Sequence, residues 1–182
     1  MKHLGTQTIQ TERLILRRFV LEDAQAMYGN WASDPEVTKY LTWPAHTSPE
    51  ISSLVLTDWV ANYAKPDFYQ WAIVPKDFGE PIGSMAVVDK NDDIAMFHIG
   101  YCIGRNWWHK GIMSEALSAV MEYLFDQVGI NRIEARHAPE NQHSGDVMKK
   151  CGMKYEGTLR QADWCNQGVT DICCYALLKS ER

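Results

Sequence analysis

A chain of 182 residues, 46% of them hydrophobic, can bury one sizeable core and fits a single domain over residues 1–182. Its 18 Lys and Arg are outnumbered by 23 Asp and Glu, a net charge of −5 with no basic block, which argues against a nucleic-acid partner. No apolar run reaches the ~18 residues of a membrane span, and the opening MKHLGTQTIQTERL lacks the apolar stretch of a secretory signal. A cytoplasmic protein with no membrane partner is therefore expected.

Arg13 to Phe19 (RLILRRF) reads as a strand and Leu21 to Ala32 as a helix, with Met27 and Trp31 four apart on the face of Asp23 and Ala24. A turn-rich aromatic segment follows. Ser48-Pro49-Glu50 then has the form of a helix start, with Ser48 as cap and Pro49 in the first turn, for a helix that stops near Tyr63 or Ala64, before Pro66. Three strand-like runs, FYQWAIVP, EPIGSMAVVDK and DIAMFHIGYCIG, are separated by turns and predict an antiparallel meander. After Gly111, Leu117, Val120, Met121, Leu124 and Val128 share one helical face. NRIEARHA is the next strand, followed by a helix from about His143 to Cys151 with Lys149 and Lys150 in its last turn and Gly152 as terminator. Two last strands, MKYEGTLRQADWC and VTDICCYALLKS, turn at Asn166-Gln167-Gly168.

This order predicts a mixed α/β fold. Its twisted sheet of six to seven strands is mostly antiparallel, with about four flanking helices and one parallel crossover in the second half. The five cysteines, Cys102, Cys151, Cys165, Cys173 and Cys174, are odd in number and contain no CxxC, which reads as reduced thiols without a disulfide framework or a metal site.

The stretch WWHKGIMSEAL puts a basic, glycine-containing elbow before a helix. Backbone N–H groups at a helix start lack internal partners and carry partial positive charge, so the elbow could cradle a pyrophosphate. GxxxxGK[ST] and GxGxxG are both absent.

IGYCIGRNWWHKGIMSEAL, followed about thirty residues later by APENQHSGDVMKKCGMKYEGTLR, resembles the GCN5-related N-acetyltransferases (GNAT), and within them the RimJ/RimL-like branch that acetylates ribosomal-protein N-termini. The resemblance runs from TERLILRRFVLEDA to DICCYALL and implies acetyl-CoA as co-substrate. It places the pyrophosphate loop on Trp108, His109, Lys110, Gly111, Ile112 and Met113, running into Ser114. Trp108 stands for the usual Arg or Gln and Met113 for a small residue. It also implies a V-shaped splay between the fourth and fifth predicted strands, with the pantetheine arm along Ile99, Tyr101, Cys102 and Ile103. Asn141 matches the asparagine that holds the cofactor arm, Ser144 the hydroxyl near the thioester sulfur, and Asp163 an acidic residue that deprotonates the amine through water. A homodimer is a further implication.

Acetyl transfer to an amine needs a neutral nucleophile. An α-amine titrates near 7.7–8.0 and is about a third neutral at pH 7.5, against about a thousandth of a lysine titrating near 10.4. Glu156 and His98 are alternative bases to Asp163. Glu156 also reads as a strand-pair partner and His98 as a structural histidine. His137 and His143 read as surface residues, and Cys102 lacks a thiolate-activating neighbour. Trp31, Trp43, Tyr40, Trp59, Tyr63 and Trp71 concentrate aromatics where the acceptor cleft is expected, or are core packing. The acceptor is then a protein N-terminus or a small molecule such as a polyamine, amino acid or aminoglycoside. A non-catalytic CoA sensor is the remaining alternative.

Overall fold

The computed structural model describes residues 1–182. Eight strands form one open sheet: β1 (Ile9–Gln10), β2 (Leu14–Arg17), β3 (Gln70–Pro75), β4 (Gly83–Asn91), β5 (Met96–Ile103), β6 (Arg132–His137), β7 (Lys154–Cys165) and β8 (Gly168–Leu178). Their spatial order is β1-β2-β3-β4-β5-β6-β8-β7. Every pairing is antiparallel except β5 with β6. The two-residue β1, too short to leave a pattern, raises the strand count above the six or seven expected. The helices are α1 (Ala24–Met27), α2 (Pro35–Thr38), α3 (Pro49–Asn62), α4 (Ile112–Tyr123) and α5 (Gln142–Lys150).

The sheet is covered on both faces. β3 is buried along its whole length, and its alternate residues enter different cores: Trp71 and Ile73 join the larger cluster, Ala72 and Val74 the smaller. The larger cluster packs α4 against the sheet through Leu117, Val120, Met121, Leu124 and Val128, all at most 4% exposed, as the periodicity predicts. A π-helical turn over Leu124–Val128 extends that helix to Gly129. The smaller cluster seats α1 and α3. Met27 and Trp31 are buried on one face of a continuous helical segment that starts as a 3₁₀ turn at Leu21–Asp23 and ends as a π turn at Tyr28–Ala32. Ser48 precedes Pro49 with extended backbone, yet its side chain makes no capping hydrogen bond.

The crossover from β5 through α4 to β6 creates the feature that matters most. Parallel pairing between β5 and β6 consists of Met96 with Arg132, Phe97 with Ile133 and His98 with Glu134. Beyond His98 the strands diverge. Residues 99–103 of β5 keep β4 on one side and have no strand on the other, while residues 135–137 of β6 pair only with β8.

Candidate active site

The divergence opens into a cleft of about 380 Å³. Tyr101, Cys102 and Ile103 line it from β5. Trp107, Trp108, His109 and Gly111 line it from the elbow, and Ile112, Met113 and Ser114 from the first turn of α4. Asn141, His143 and Ser144 close it from α5, and Val37, Tyr40 and Leu41 from α2 and the loop behind it.

The elbow is built from unusual backbone. A 3₁₀ turn at Arg105–Trp107 leads to an extended Trp108, then to His109 at φ 60° and Gly111 at φ 72°, both left-handed. Glycine adopts that conformation freely, whereas histidine holds it at a cost of roughly 1–3 kcal/mol that the surroundings must supply. Trp108 Nε1 donates to the Ile103 carbonyl at 2.9 Å, and the His109 ring meets His143 edge-on with centroids 4.6 Å apart. Gly111 caps α4 with no side-chain acceptor, so the first helical N–H groups are open to a ligand. Ile112 and Met113 are each 7% exposed, their side chains taken up by the larger core. Met113 therefore does not crowd the elbow.

Ser144 Oγ donates to Tyr101 Oη at 3.1 Å, and Tyr101 Oη donates to the Ser144 carbonyl at 3.0 Å. This pair spans the gap between β5 and α5. Burial pushes the Tyr101 phenol well above its ordinary range, which keeps it protonated. Asn141 occupies the cap position of α5 without a side-chain capping bond, leaving its amide free at the cleft. Burial also raises the Cys102 thiol, with Ser84 Oγ at 3.5 Å opposing, so the thiolate required of a covalent nucleophile is disfavoured.

Three expected site residues lie elsewhere. Ile99 is 1% exposed with its side chain in the core, so only its backbone borders the gap. The Lys110 side chain is exposed and does not line the cleft. Asp163 sits exposed on β7, and its Oδ1 accepts from the Trp164 N–H at 2.7 Å. Its carboxylate nevertheless reaches His98 electrostatically. His98 lies at the vertex of the splay. Burial first, then Arg136, hold it below its ordinary pKa, against opposing pulls from Glu134, Asp89 and Asp163. Glu156 is an ion-pair partner of Arg132, gripped through both carboxylate oxygens and held below the usual carboxylate range by that contact.

Other expectations need correcting. His137 is buried, 8% exposed, beneath α5; His143 is exposed as expected. Of the six aromatics, Tyr40 alone lines the cleft. Trp31 and Trp71 are wholly buried, Trp59 packs tilted against Phe19 with ring centroids 5.1 Å apart, and the Tyr63 hydroxyl bridges the Phe19 N–H and the Gln70 carbonyl. Tyr40 carried no periodic or motif signal to separate it from the others.

A split parallel pair with a helix start at its mouth leaves an unpaired strand edge beside open backbone N–H groups. The Acetyltransferase (GNAT) domain family matches residues 13–154. An uncharacterised N-acetyltransferase, p20, of Bacillus licheniformis is 33% identical over 175 residues, covering 96% of this chain and 98% of that relative. The ribosomal protein uS5-alanine N-acetyltransferase of Escherichia coli is 42% identical over 60 residues, 33% of this chain and 31% of that enzyme. The crystal structure of a GNAT-family acetyltransferase from Bacillus anthracis superposes with a TM-score of 0.84 at 26% identity, covering 96% of this chain and all of that one. The chain belongs to the GNAT acetyltransferase family and is an N-acetyltransferase.

Proposed function

We propose that residues 1–182 act as one catalytic domain that transfers the acetyl group of acetyl-CoA directly to a primary amine, with a protein α-amino terminus as the favoured acceptor. The observation that carries this reading is the unpaired edge of β5 over residues 99–103, running from the vertex of the splay to the open N–H groups of the elbow. An arm of amides can add to that edge as a strand would, while the helix start receives a pyrophosphate. Gly111, with no Cβ, and the buried side chains of Ile112 and Met113 leave backbone at the elbow's surface, which fits such a group. Trp108, His109, Lys110 and Ser114 flank it.

In this reading the acceptor nitrogen attacks the thioester carbonyl, the C–S bond breaks, and the Ser144 hydroxyl turns from Tyr101 Oη to the sulfur, gives its proton to the departing thiolate and takes another from water. Tyr101, held protonated, keeps the Ser144 hydroxyl oriented. The proton lost by the amine passes through water to Asp163, or to His98, which is neutral at pH 7 and makes no hydrogen bond in the protein. General-base help of this kind contributes about 10²–10⁴-fold. The α-amine preference follows from its larger neutral fraction at pH 7.5, and the kinship to the uS5-alanine enzyme supports it.

The test is release of free thiol from acetyl-CoA against peptide N-termini, polyamines, amino acids and aminoglycosides, with Ser144→Ala and Asp163→Ala beside the wild type. Turnover on peptide N-termini that drops about 10²-fold in the variants is expected. Turnover confined to a polyamine or aminoglycoside would overturn the acceptor assignment. CoA binding without turnover on any acceptor would overturn the catalytic one and favour a CoA sensor.

A further inference from the structure

Arg13 lies far from the elbow in sequence yet makes its principal contacts there. Its Nη1 donates to the Lys110 carbonyl at 3.0 Å and its Nε to Glu115 Oε2 at 2.6 Å, while its backbone N–H donates to Glu115 Oε1 at 3.0 Å. Thr11 Oγ1 adds a bond to the same Glu115 oxygen at 2.5 Å. Burial pushes the Glu115 carboxyl up, but Thr11 and Arg13 outweigh it and hold the group ionised. Arg13 Nη2 makes no hydrogen bond in the protein, and a Cβ placed on Gly111 would lie 3.6 Å from it.

Peptide geometry gives this cluster a functional meaning. The bond between Lys110 and Gly111 is planar and trans, so its C=O and N–H point in opposite directions. Were that carbonyl free to swing into the cleft, it would present negative charge where an anion must sit. Captured by a guanidinium anchored on Glu115, it is turned toward β2, and the Gly111 N–H is turned the other way. The same hold stabilises the left-handed backbone at His109, one residue earlier, which Trp108 and His143 brace from the other side.

We infer that Arg13, braced by Glu115 and Thr11, is a positioning residue for the pyrophosphate of the acyl donor: it fixes the Lys110–Gly111 peptide so that its N–H faces the phosphate. The inference rests on the acetyl-CoA reading above. It extends the elbow's machinery to the bend before β2, which the helix-start motif does not include. Arg is suited to the role because its fork reaches the carbonyl and the carboxylate together, which the point charge of Lys cannot do.

The experiment compares acetyl-CoA with S-acetyl-pantetheine, a donor that lacks the pyrophosphate, in the wild type, Arg13→Ala, Arg13→Lys and Glu115→Gln. Calorimetric binding of CoA is measured alongside. Arg13→Ala is expected to raise the KM for acetyl-CoA and the Kd for CoA about tenfold, with kcat at saturating donor within about twofold. Arg13→Lys should recover little of that, Glu115→Gln should lose a few-fold, and kcat/KM for S-acetyl-pantetheine should stay unchanged in all three. Equal losses on both donors would mean that Arg13 only supports the fold, and unchanged CoA affinity in Arg13→Ala would mean that the elbow stands without it. Either result overturns the inference. If Arg13→Ala fails to fold, Glu115→Gln decides between the same outcomes. A wild type that binds no CoA overturns the acetyl-CoA reading itself, and the inference with it.

Discussion

Two hydroxyls, those of Tyr101 and Ser144, hold β5 and α5 together across the gap where the sheet opens. Tyr101→Phe removes both bonds and leaves the ring. A neutral hydrogen bond is worth about 0.5–1.5 kcal/mol, so kcat should fall about 2–10-fold as Ser144 loses its orientation, with the KM for acetyl-CoA little changed. Steady-state kinetics on a peptide acceptor checks this. A second prediction concerns His98. Its folded pKa is lowered by burial and Arg136, so the ring is neutral at pH 7 and protonates only below its ordinary value of about 6.5. If His98 takes the amine's proton, the ratio of wild-type to His98→Asn rates should fall as pH drops through that range, the acceptor's own titration cancelling in the ratio. A flat ratio would leave the role to Asp163. Gly111 is marked in the sequence as a glycine before an apolar helical face, whereas Asn141 and Ser144 are singled out only by the family resemblance. His98 and Tyr101 were named there as an alternative base and a cofactor-gap residue, but the vertex position of the one and the bond from the other to Ser144 depend on where two strands part.

Helix α5 shows how an element is aimed by one contact. A Cβ on Gly145 would lie 2.5 Å from His137 Nε2, so the helix approaches β6 as closely as glycine permits. His137 Nδ1 faces the Ala138 carbonyl at 2.7 Å, leaving Nε2 buried with no hydrogen-bond partner beneath the helix. Gly145→Ala should cost roughly 1–3 kcal/mol through overpacking and displace the adjacent Ser144. On a His137→Ala background the same substitution should cost markedly less, a coupling that denaturant melts of the four proteins would measure. The sequence predicted α5 and its terminator well, because the cations Lys149 and Lys150 and the terminator Gly152 act locally. It placed His137 at the surface, since nothing local reveals what packs over a strand end. β7 tells a similar story. Between the pairs Leu159 with Ile172 and Asp163 with Thr170, three residues of β7 face one of β8, with Gln161 at φ 50°. That bulge redirects the strand just before Asp163. Alternation alone could not have forecast it.

Across the whole molecule, the succession of elements along the chain and the parallel crossover were readable because hydrophobic period and turn residues reported each element in turn. The partition of aromatics was not. Trp31 and Trp71 read equally as cleft or core residues until the two faces of β3 are known to be covered. The turn joining β7 to β8 also reaches across the fold. Asn166 Nδ2 donates to the carbonyls of Thr38 and Trp43, each at 2.8 Å, and its N–H donates to Leu41 at 3.0 Å. Asn166→Ala should therefore loosen the segment carrying Tyr40, raising the acceptor KM a few-fold with the acetyl-CoA KM unchanged.

The three-residue contact between β5 and β6 means that the sheet is two blades sharing a short hinge. A donor lying in the notch would act as mortar between them, and its binding energy would add to folding stability as RT ln(1 + [L]/Kd), about 2.7 kcal/mol at a hundredfold excess over Kd. Amide hydrogens on the facing edges of the notch should then exchange quickly in the free protein and slowly with CoA bound. The abundance of such an enzyme would follow the supply of its own donor, rising where the thioester is plentiful and falling to proteolysis where it is scarce.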